Sequence, residues 1–392
     1  MPFERAAESV ADTLRIQVSE PTTRRRTTQW GAAYVDAQEE EVQRIERELP
    51  TPPTGPDKML LSVDGAMVPL VGGEWREVKT LVLGVIGEPV WEQGEWQVHA
   101  SELSYFSRLM EAESFGRAAL GETHRRGVET ASQVVAITDG AVWEQGFIDY
   151  HRDDAARVLD FPHAAEYVAQ VGGAVSGEGT DTTKEWLREQ LHTLKHEGPV
   201  DVLSELRTLV QDHPELPALS ESLTYLEKRE AQMQYPLYLA RGWPIGSGAV
   251  ESGNKVVVEA RLKGAGMHWA LDNVNPMLAL RNALCNDRWA EARSQILNQQ
   301  HLQTLRIRQS KREQHLAALD PAPVAAEVLP CSSLAELTPA TPVLQPDPLA
   351  SDAPSPAATR EPWRPGPNHP WRHSPIGKAK YRQRSGDSAA KN

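Results

Sequence analysis

Three acidic residues, each beside glycine or another small residue, are the features of this chain best suited to chemistry. Asp64 and Asp139 follow apolar, β-branched runs, and Glu251 follows the turn Gly246-Ser247-Gly248. Carboxylates at strand ends that converge with a third on a later helix can hold two divalent ions roughly 3.5–4 Å apart. Such a pair activates a nucleophile and stabilises the leaving oxygen in phosphodiester cleavage. The residues therefore predict a two-metal phosphodiester site.

The expected cofactor is Mg²⁺ or Mn²⁺, as two ions, because hard divalent cations prefer carboxylate oxygen. We expect Asp64 to bridge both ions, with Asp139 holding one and Glu251 the other. Taken singly, an aspartate after a strand is more often a turn residue or a helix cap. The three acidic residues together, in this order along the chain, favour the catalytic interpretation.

The hydrophobic pattern predicts how these residues are positioned. Strands are expected at residues 59–63, 78–86, 96–100, 134–137 and 157–160, with helices at 102–120 and 142–151. Three strands, a helix, a strand, a helix and a strand is the order of an RNase H-like domain. The predicted fold is therefore α/β: an RNase H-like mixed sheet with a helical insertion, flanked by a helical N-terminal segment and a disordered C-terminal tail.

Composition shifts divide the chain into six regions. A Pro-rich stretch at residues 50–56 ends the first region, and Pro, Ala, Ser and Thr dominate after residue 317. The predicted regions are a helical segment with a possible partial helix-turn-helix (1–50), the first part of the core (58–164), a helical insertion (165–236), the second part of the core with the Glu251 helix (237–300), a disordered linker (317–360) and a basic tail (361–392).

The overall charge argues mildly against nucleic acid, but basic residues are concentrated locally. The net charge is −13, whereas residues 360–392 carry eight Lys or Arg against two acidic residues. DNA binding needs a local patch rather than a basic average. The chain has two cysteines, no signal-peptide pattern and no apolar run of membrane-spanning length. These features predict a cytoplasmic protein without a membrane partner.

Two basic groups are candidate DNA contacts. Arg24, Arg25 and Arg26 are predicted to lie on the second helix of the N-terminal segment, where they could contact phosphates. A second group could follow the backbone near the metals and consists of Lys255, Arg261 and Lys263. For both groups, a solvated helix face remains the alternative.

Several motifs in combination resemble one family, the ISKra-type bacterial insertion-sequence transposases. The resemblance covers about residues 58–290, and Asp64, Asp139 and Glu251 match the family's triad positions. It implies an RNase H-like catalytic domain, DNA partners (terminal inverted repeats and target), a homo-oligomer on DNA and a bacterial, nucleoid-associated location. The matching motifs are Asp64-Gly65, Ile137 to Trp143, Leu159 to Glu166, Gly246 to Ser252, Arg261 to Trp269 and Leu280 to Ala283.

Asp160-Phe161-Pro162-His163 also matches the Asp-x-x-His motif shared with Mutator-like elements. Through this resemblance, Asp160 and His163 are candidate supporting residues: His163 could contact a phosphate or support the acidic cluster. The alternative is purely structural, with Asp160 capping the helix that carries His163.

The predicted function is that of a DNA transposase that cleaves element ends and transfers the strand through an Asp-Asp-Glu triad. Two alternatives remain open. Family members usually have a longer N-terminal region, so the chain could be a truncated, inactive DNA-binding relic. It could also be a nuclease of the same fold without strand transfer.

Overall fold

The fold is built around a mixed five-stranded sheet. The structure is a computed structural model, and it describes residues 2–92 and 94–319. Its spatial order is β5-β2-β1-β6-β7. β2 is antiparallel to both of its neighbours, β1 and β5, whereas β6 and β7 run parallel to β1. The α/β class and the mixed sheet predicted from the sequence are confirmed. The five strands of the sheet are β1 (Lys58–Pro69), β2 (Trp75–Ile86), β5 (Ala100–Arg108), β6 (Gln133–Thr138) and β7 (Ala156–Leu159). Strands β3 (Val90–Glu92) and β4 (Glu95–Gln97) form a separate antiparallel pair.

Helices come before, between and after the strands along the chain, and they cover both faces of the sheet. The N-terminal pair is α1 (Phe3–Leu14) and α2 (Glu20–Glu48); α3 (Ala112–Ala118), α4 (Leu120–Arg125) and α5 (Val142–Arg152) come within the sheet region. The block between β7 and Glu251 is helical, as predicted: α6 (Phe161–Ser176), α7 (Asp181–His196), α8 (Pro199–Asp212), α9 (Pro217–Glu227) and α10 (Tyr235–Ala240). The last elements are α11 (Gly248–Gly253), a π-helical segment (Asn254–Glu259), α12 (Ala260–Leu262), α13 (Leu271–Cys285) and α14 (Trp289–Leu319).

Two predicted elements near the third strand of the sheet are wrong. Residues 102–108 were expected to be helical, but they belong to β5, which pairs with β2 from Lys79↔Arg108 to Ile86↔Ala100. The predicted strand at 96–100 is split between β4 and the start of β5. Pairing with β2 determines the strand conformation here, because it gives the backbone of β5 hydrogen-bond partners and buries Phe106 against Phe115.

The sheet separates two apolar layers, as alternation along a strand requires. On β1, Leu60 packs with the insertion helices α6 to α9, whereas Met59, Leu61 and Val63 pack with α3 and α5. A third cluster joins the far end of β1 to the π-helical segment through Val68 and its neighbours. The carboxyl ends of the parallel strands are therefore held between the insertion and the Glu251 region.

Helix α2 packs along α13 and α14, through Ala33 and Tyr34 against Ala283 and Ile296. The predicted disordered linker overlaps the end of α14, which continues to Leu319. The rest of that linker and the whole basic tail lie outside the described residues.

Candidate functional site

Three aspartates lie at one level of the sheet, one on β1 and the other two directly after its parallel neighbours β6 and β7. Ser62 of β1 pairs with Ile137 of β6, and Ile137 pairs with Val158 of β7. Asp64, Asp139 and Asp160 each follow these paired residues by two positions. Because side chains alternate with a period of two, each aspartate continues the face that packs toward the insertion. Register alone thus brings the carboxylates of three distant chain segments to one edge.

Asp64 differs from the sequence prediction in one respect, because it does not end its strand. β1 continues to Pro69, and Asp64 pairs with Thr80 of β2. Only the pairing with β6 stops before Asp64, at Ser62↔Ile137. Because β2 pairs with β1 both before and after Asp64 along the chain, the backbone that carries this carboxylate is fixed.

The closest acidic cluster consists of Asp64, Asp139 and Glu144, whose oxygens lie within 4.8 Å of one another. Asp64 accepts a hydrogen bond from the Gly65 amide at 2.6 Å. Burial, together with the negative charges of Asp139 and Glu251, raises the pKa of Asp64 to about 6.

Glu144 is the member of this cluster that the sequence prediction missed. It is 1% exposed, and its Oε2 accepts the amide N–H groups of Gly140 at 3.1 Å and Ala141 at 3.0 Å. Burial and contact with Asp139 raise the pKa of Glu144 to about 10. A glutamate at the third position of helix α5 was the available sequence signal, because it commonly reaches back to the helix start.

Gly140 makes the turn between β6 and α5 possible. Its φ of +81° lies in the left-handed region that favours glycine. The turn also returns the Ala141 amide to Oδ1 of Asp139, at 2.9 Å. The Asp139 side chain is thus fixed by its own turn as well as by the sheet.

Glu251 lies in the first turn of α11 and lines the same cleft as Asp64 and Asp139, which has a volume of about 170 Å³. It is exposed, and its Oε1 lies 3.2 Å from the Ser247 hydroxyl. Among the described residues, Glu251 is outside the group whose oxygens lie within 4.8 Å. The structure therefore brings the three predicted residues to one cleft, with Glu251 at its open side.

The helix that carries Glu251 continues directly into the π-helical segment. Gly253 permits its close approach to the sheet, because a Cβ there would lie 2.8 Å from the Val82 side chain. The next residue, Asn254, is buried and donates to Oδ2 of Asp64 at 2.8 Å. Single-turn π segments are frequent at functional sites, and here the segment directs an amide toward the acidic cluster.

Asp160 caps α6, which is the structural alternative considered from the sequence. Its Oδ2 accepts the His163 amide at 3.0 Å, and its Oδ1 accepts the Ser247 amide at 2.6 Å. Asp160 is therefore a tie between β7 and the turn that precedes Glu251. The His163 ring lines the cleft and packs edge-on against Tyr167 and Tyr225.

The basic residues predicted to contact DNA differ in how exposed they are. Arg24, Arg25 and Arg26 are exposed near the start of α2, and Lys255 is exposed on the π-helical segment. Arg24 lies 3.9 Å from the Glu20 carboxylate. These four cations are accessible to a phosphate, although none lines the acidic cleft.

The prediction for Arg261 needs correction, and that for Lys263 changes in part. Arg261 is 9% exposed, and its guanidinium lies between the rings of Phe3 and Trp269, at 4.8 and 4.9 Å. Its position is explained by cation–π packing, which leaves little of it for a phosphate. Lys263 is exposed but pairs with Glu259 at 2.7 Å.

The donor set of the cleft fits a hard divalent cation. Carboxylate oxygens within 4.8 Å are the ligand type that Mg²⁺ and Mn²⁺ prefer. The cleft lining includes five acidic residues and no Lys or Arg, so a phosphate could approach only if cations offset this charge. The acidic lining residues are Asp64, Asp139, Asp160, Glu166 and Glu251.

A comparison with protein-family models finds none that matches the chain, and a comparison with curated proteins finds no significant match. None of the described helices is both long enough and apolar enough to cross a membrane.

Proposed function

We propose that the chain is a metal-dependent DNA transposase with an RNase H-like catalytic domain, similar to the insertion-sequence family that its motifs resemble. The observation that carries the proposal is the register of the parallel strands. It sets Asp64 beside Asp139, with oxygens within 4.8 Å, at a cleft that Glu251 also lines. The sheet order β5-β2-β1-β6-β7 supports the RNase H-like assignment, because it corresponds to strands 3-2-1-4-5 when the separate pair of β3 and β4 is set aside.

Mg²⁺ or Mn²⁺ would be held by Asp64 and Asp139, with Glu251 completing the set from α11. When bound, the ions supply charge stabilisation and an activated nucleophile. The protein's own residues fix the oxygens: Gly65 and Asn254 hold the two oxygens of Asp64, and the turn amide of Ala141 holds Asp139. The fixed geometry reduces the reorganisation needed when DNA binds.

The test uses the full chain with DNA that carries the sequences flanking its gene on both sides, together with a supercoiled target plasmid and Mg²⁺ or Mn²⁺. We expect cleavage at defined ends and joining to the plasmid. Asp64→Asn, Asp139→Asn and Glu251→Gln should each abolish cleavage and leave folding and DNA binding intact.

The other outcomes separate the alternatives. Cleavage without joining indicates a nuclease and overturns strand transfer. DNA binding without cleavage indicates an inactive relic and overturns catalysis. Near-normal cleavage by any one triad variant removes that residue from the site.

A further inference from the structure

The turn that carries Asp139 is held from the side of the helical insertion. The Tyr225 hydroxyl donates to the backbone carbonyl of Asp139. Arg229 donates to the carbonyl of Gly140 through Nε, at 3.1 Å, and through Nη2. Tyr225 belongs to α9, the last long helix of the insertion, and Arg229 follows that helix directly.

These contacts supply the hydrogen bonds to the carbonyls of the turn. Its amides at Gly140 and Ala141 are already bound by Glu144. Among the described residues, the hydrogen bonds to its carbonyls at Asp139 and Gly140 come from the insertion side, from residues 86 and 89 positions further along the chain. Because two amides and two carbonyls of the turn are engaged, a shift of the turn would break several hydrogen bonds.

Arg229 is itself fixed in place. Its guanidinium lies 3.6 Å from the centre of the Tyr225 ring, and Nη1 donates to the Tyr225 carbonyl at 3.0 Å. The other neighbour of Tyr225 is Tyr167 of α6, with ring centres 3.9 Å apart and planes at 9°. Within the described residues, Arg229 forms no ion pair with a carboxylate, so its donors serve backbone carbonyls. The stack Arg229–Tyr225–Tyr167 thus links two insertion helices to the turn.

Gly140 leaves the space that Arg229 occupies. A Cβ at position 140 would lie 2.3 Å from the Nε of Arg229. The sequence therefore accommodates this arginine at the position where the turn also needs a positive φ.

We infer that Tyr225 and Arg229 are positioning residues for Asp139, through which the helical insertion sets the geometry of the acidic cluster. The inference rests on the proposed function, because it takes Asp139 to be a metal ligand. Partners that orient ligating groups typically contribute 10–100-fold to metal affinity.

The test measures Mn²⁺ affinity of the full chain by electron paramagnetic resonance of free Mn²⁺, with thermal unfolding recorded in parallel. Tyr225→Phe removes one hydroxyl, and Arg229→Met removes the donors to Gly140. We expect affinity to fall about threefold to tenfold in the first and about tenfold or more in the second. Arg229→Lys, which keeps a charge and a donor, should restore part of the loss.

Arg207→Met is the matched control. Arg207 of α8 pairs with Glu227 of α9 at 2.7 Å on the same insertion, and within the described residues it makes no hydrogen bond to Asp139 or Gly140. This variant should bind Mn²⁺ as the wild type does. If Arg229→Met does not fold, Tyr225→Phe and Arg229→Lys still decide the question.

Two results would count against the inference in different ways. If Asp139→Asn abolishes Mn²⁺ binding while Tyr225→Phe and Arg229→Met bind normally, the positioning role is wrong and the metal site stands. If the wild type and Asp139→Asn bind Mn²⁺ alike, the acidic cluster is not the metal site, and the proposed function fails as well.

Discussion

The side chain of Asn254 donates from Nδ2 to Oδ2 of Asp64 at 2.8 Å, across 190 positions of sequence. This bond joins the π-helical segment after Glu251 to the central strand of the sheet. It holds the one oxygen of Asp64 that the Gly65 amide does not. The orientation of the central carboxylate therefore depends on the helix that carries the third acidic residue.

Asn254→Ala should lower Mn²⁺ affinity and metal-dependent cleavage about tenfold, because Asp64 loses a fixed orientation. The matched control is Asn275→Ala, since Asn275 bonds the Leu109 backbone at 2.7 and 3.0 Å away from the cleft. The control should lose stability without losing metal affinity. Equal Mn²⁺ titrations for the two variants would show that the Asn254 contact is only structural.

Glu144 should behave as a neutral buried group rather than as an obligatory anion. Glu144→Gln keeps an acceptor for the Gly140 and Ala141 amides and a donor toward Asp139, and it no longer requires proton uptake on burial. We expect this variant to be at least as stable as the wild type at pH 7 in urea unfolding. Glu144→Ala removes one of two acceptors from each of these amides, since Gly140 keeps Thr138 Oγ1 at 3.3 Å and Ala141 keeps Asp139 Oδ1 at 2.9 Å. This variant should lose about 1–3 kcal/mol of unfolding free energy.

The Mn²⁺ titration of Glu144→Gln gives a second readout. Affinity within about threefold of the wild type fits a supporting role for Glu144. A loss as large as that of Asp139→Asn would identify Glu144 as a ligand.

Asp160 should contribute to stability, through its hydrogen bonds to the His163 and Ser247 amides, rather than act as a metal ligand. Asp160→Asn retains a good helix cap but loses one of two acceptors, so it should cost about 1 kcal/mol of unfolding free energy, against about 2 kcal/mol for Asp160→Ala. Both variants should bind Mn²⁺ nearly as the wild type does. Loss of binding in Asp160→Asn, with the fold intact, would place Asp160 among the ligands.

His151 should make stability depend on pH. Burial lowers the pKa of His151 to about 4, and its Nε2 contacts the Gly116 carbonyl at 2.9 Å. Because the folded-state pKa lies below the unfolded value of about 6.5, the contribution is complete above pH 6.5 and is lost as pH falls toward 4. Between pH 7 and 5 the wild type should lose about 2 kcal/mol more than His151→Gln.

This comparison is made by urea unfolding of both proteins at the two pH values. The acidic cleft titrates in both proteins, so its contribution cancels in the difference. Equal losses would mean that His151 is protonated in the folded state without cost.

The basic tail should add salt-sensitive DNA affinity. Residues 360–392 carry eight Lys or Arg and two acidic residues, and each phosphate neutralised steepens the salt dependence by about 0.9 in log–log slope. Deleting them should weaken binding to a random duplex and flatten this slope. An unchanged slope with a lower melting temperature would favour a structural role for the tail over DNA binding.

Strong local patterns predicted much of the sheet. The run before Asp139 is apolar and β-branched, and β6, α5 and β7 were predicted to within one residue at each end. β5 was misassigned because its outer half is polar and exposed, so its strand character comes from pairing with β2. The end of β1 was misplaced because the continuous apolar run stops at Val63, whereas pairing with β2 carries the strand on through Gly65, which pairs with Lys79.

The site was predictable where it depends on register and not where it depends on distant packing. Asp64 and Asp139 were predictable because each follows an apolar run, and the two runs form a parallel pair of strands. Glu144 was missed because a glutamate in the first turn of a helix is usually solvated, and its burial is a tertiary effect. The prediction for Arg261 failed for a similar reason, since Phe3, which covers it, lies 258 positions earlier.

The tie between Asp160 and Ser247 has a consequence for how this chain can change in length. The Phe161 amide also donates to the Ile245 carbonyl at 2.9 Å, so the chain leaves the sheet and returns to it at nearly one point. Loop-closure cost grows only slowly with length, so further helices could be added between these two residues without moving Glu251. Shortening is restricted in two ways: α6 to α9 cover the apolar face of the sheet around Leu60, and the end of α9 must still deliver a hydroxyl and a guanidinium to the turn at Asp139.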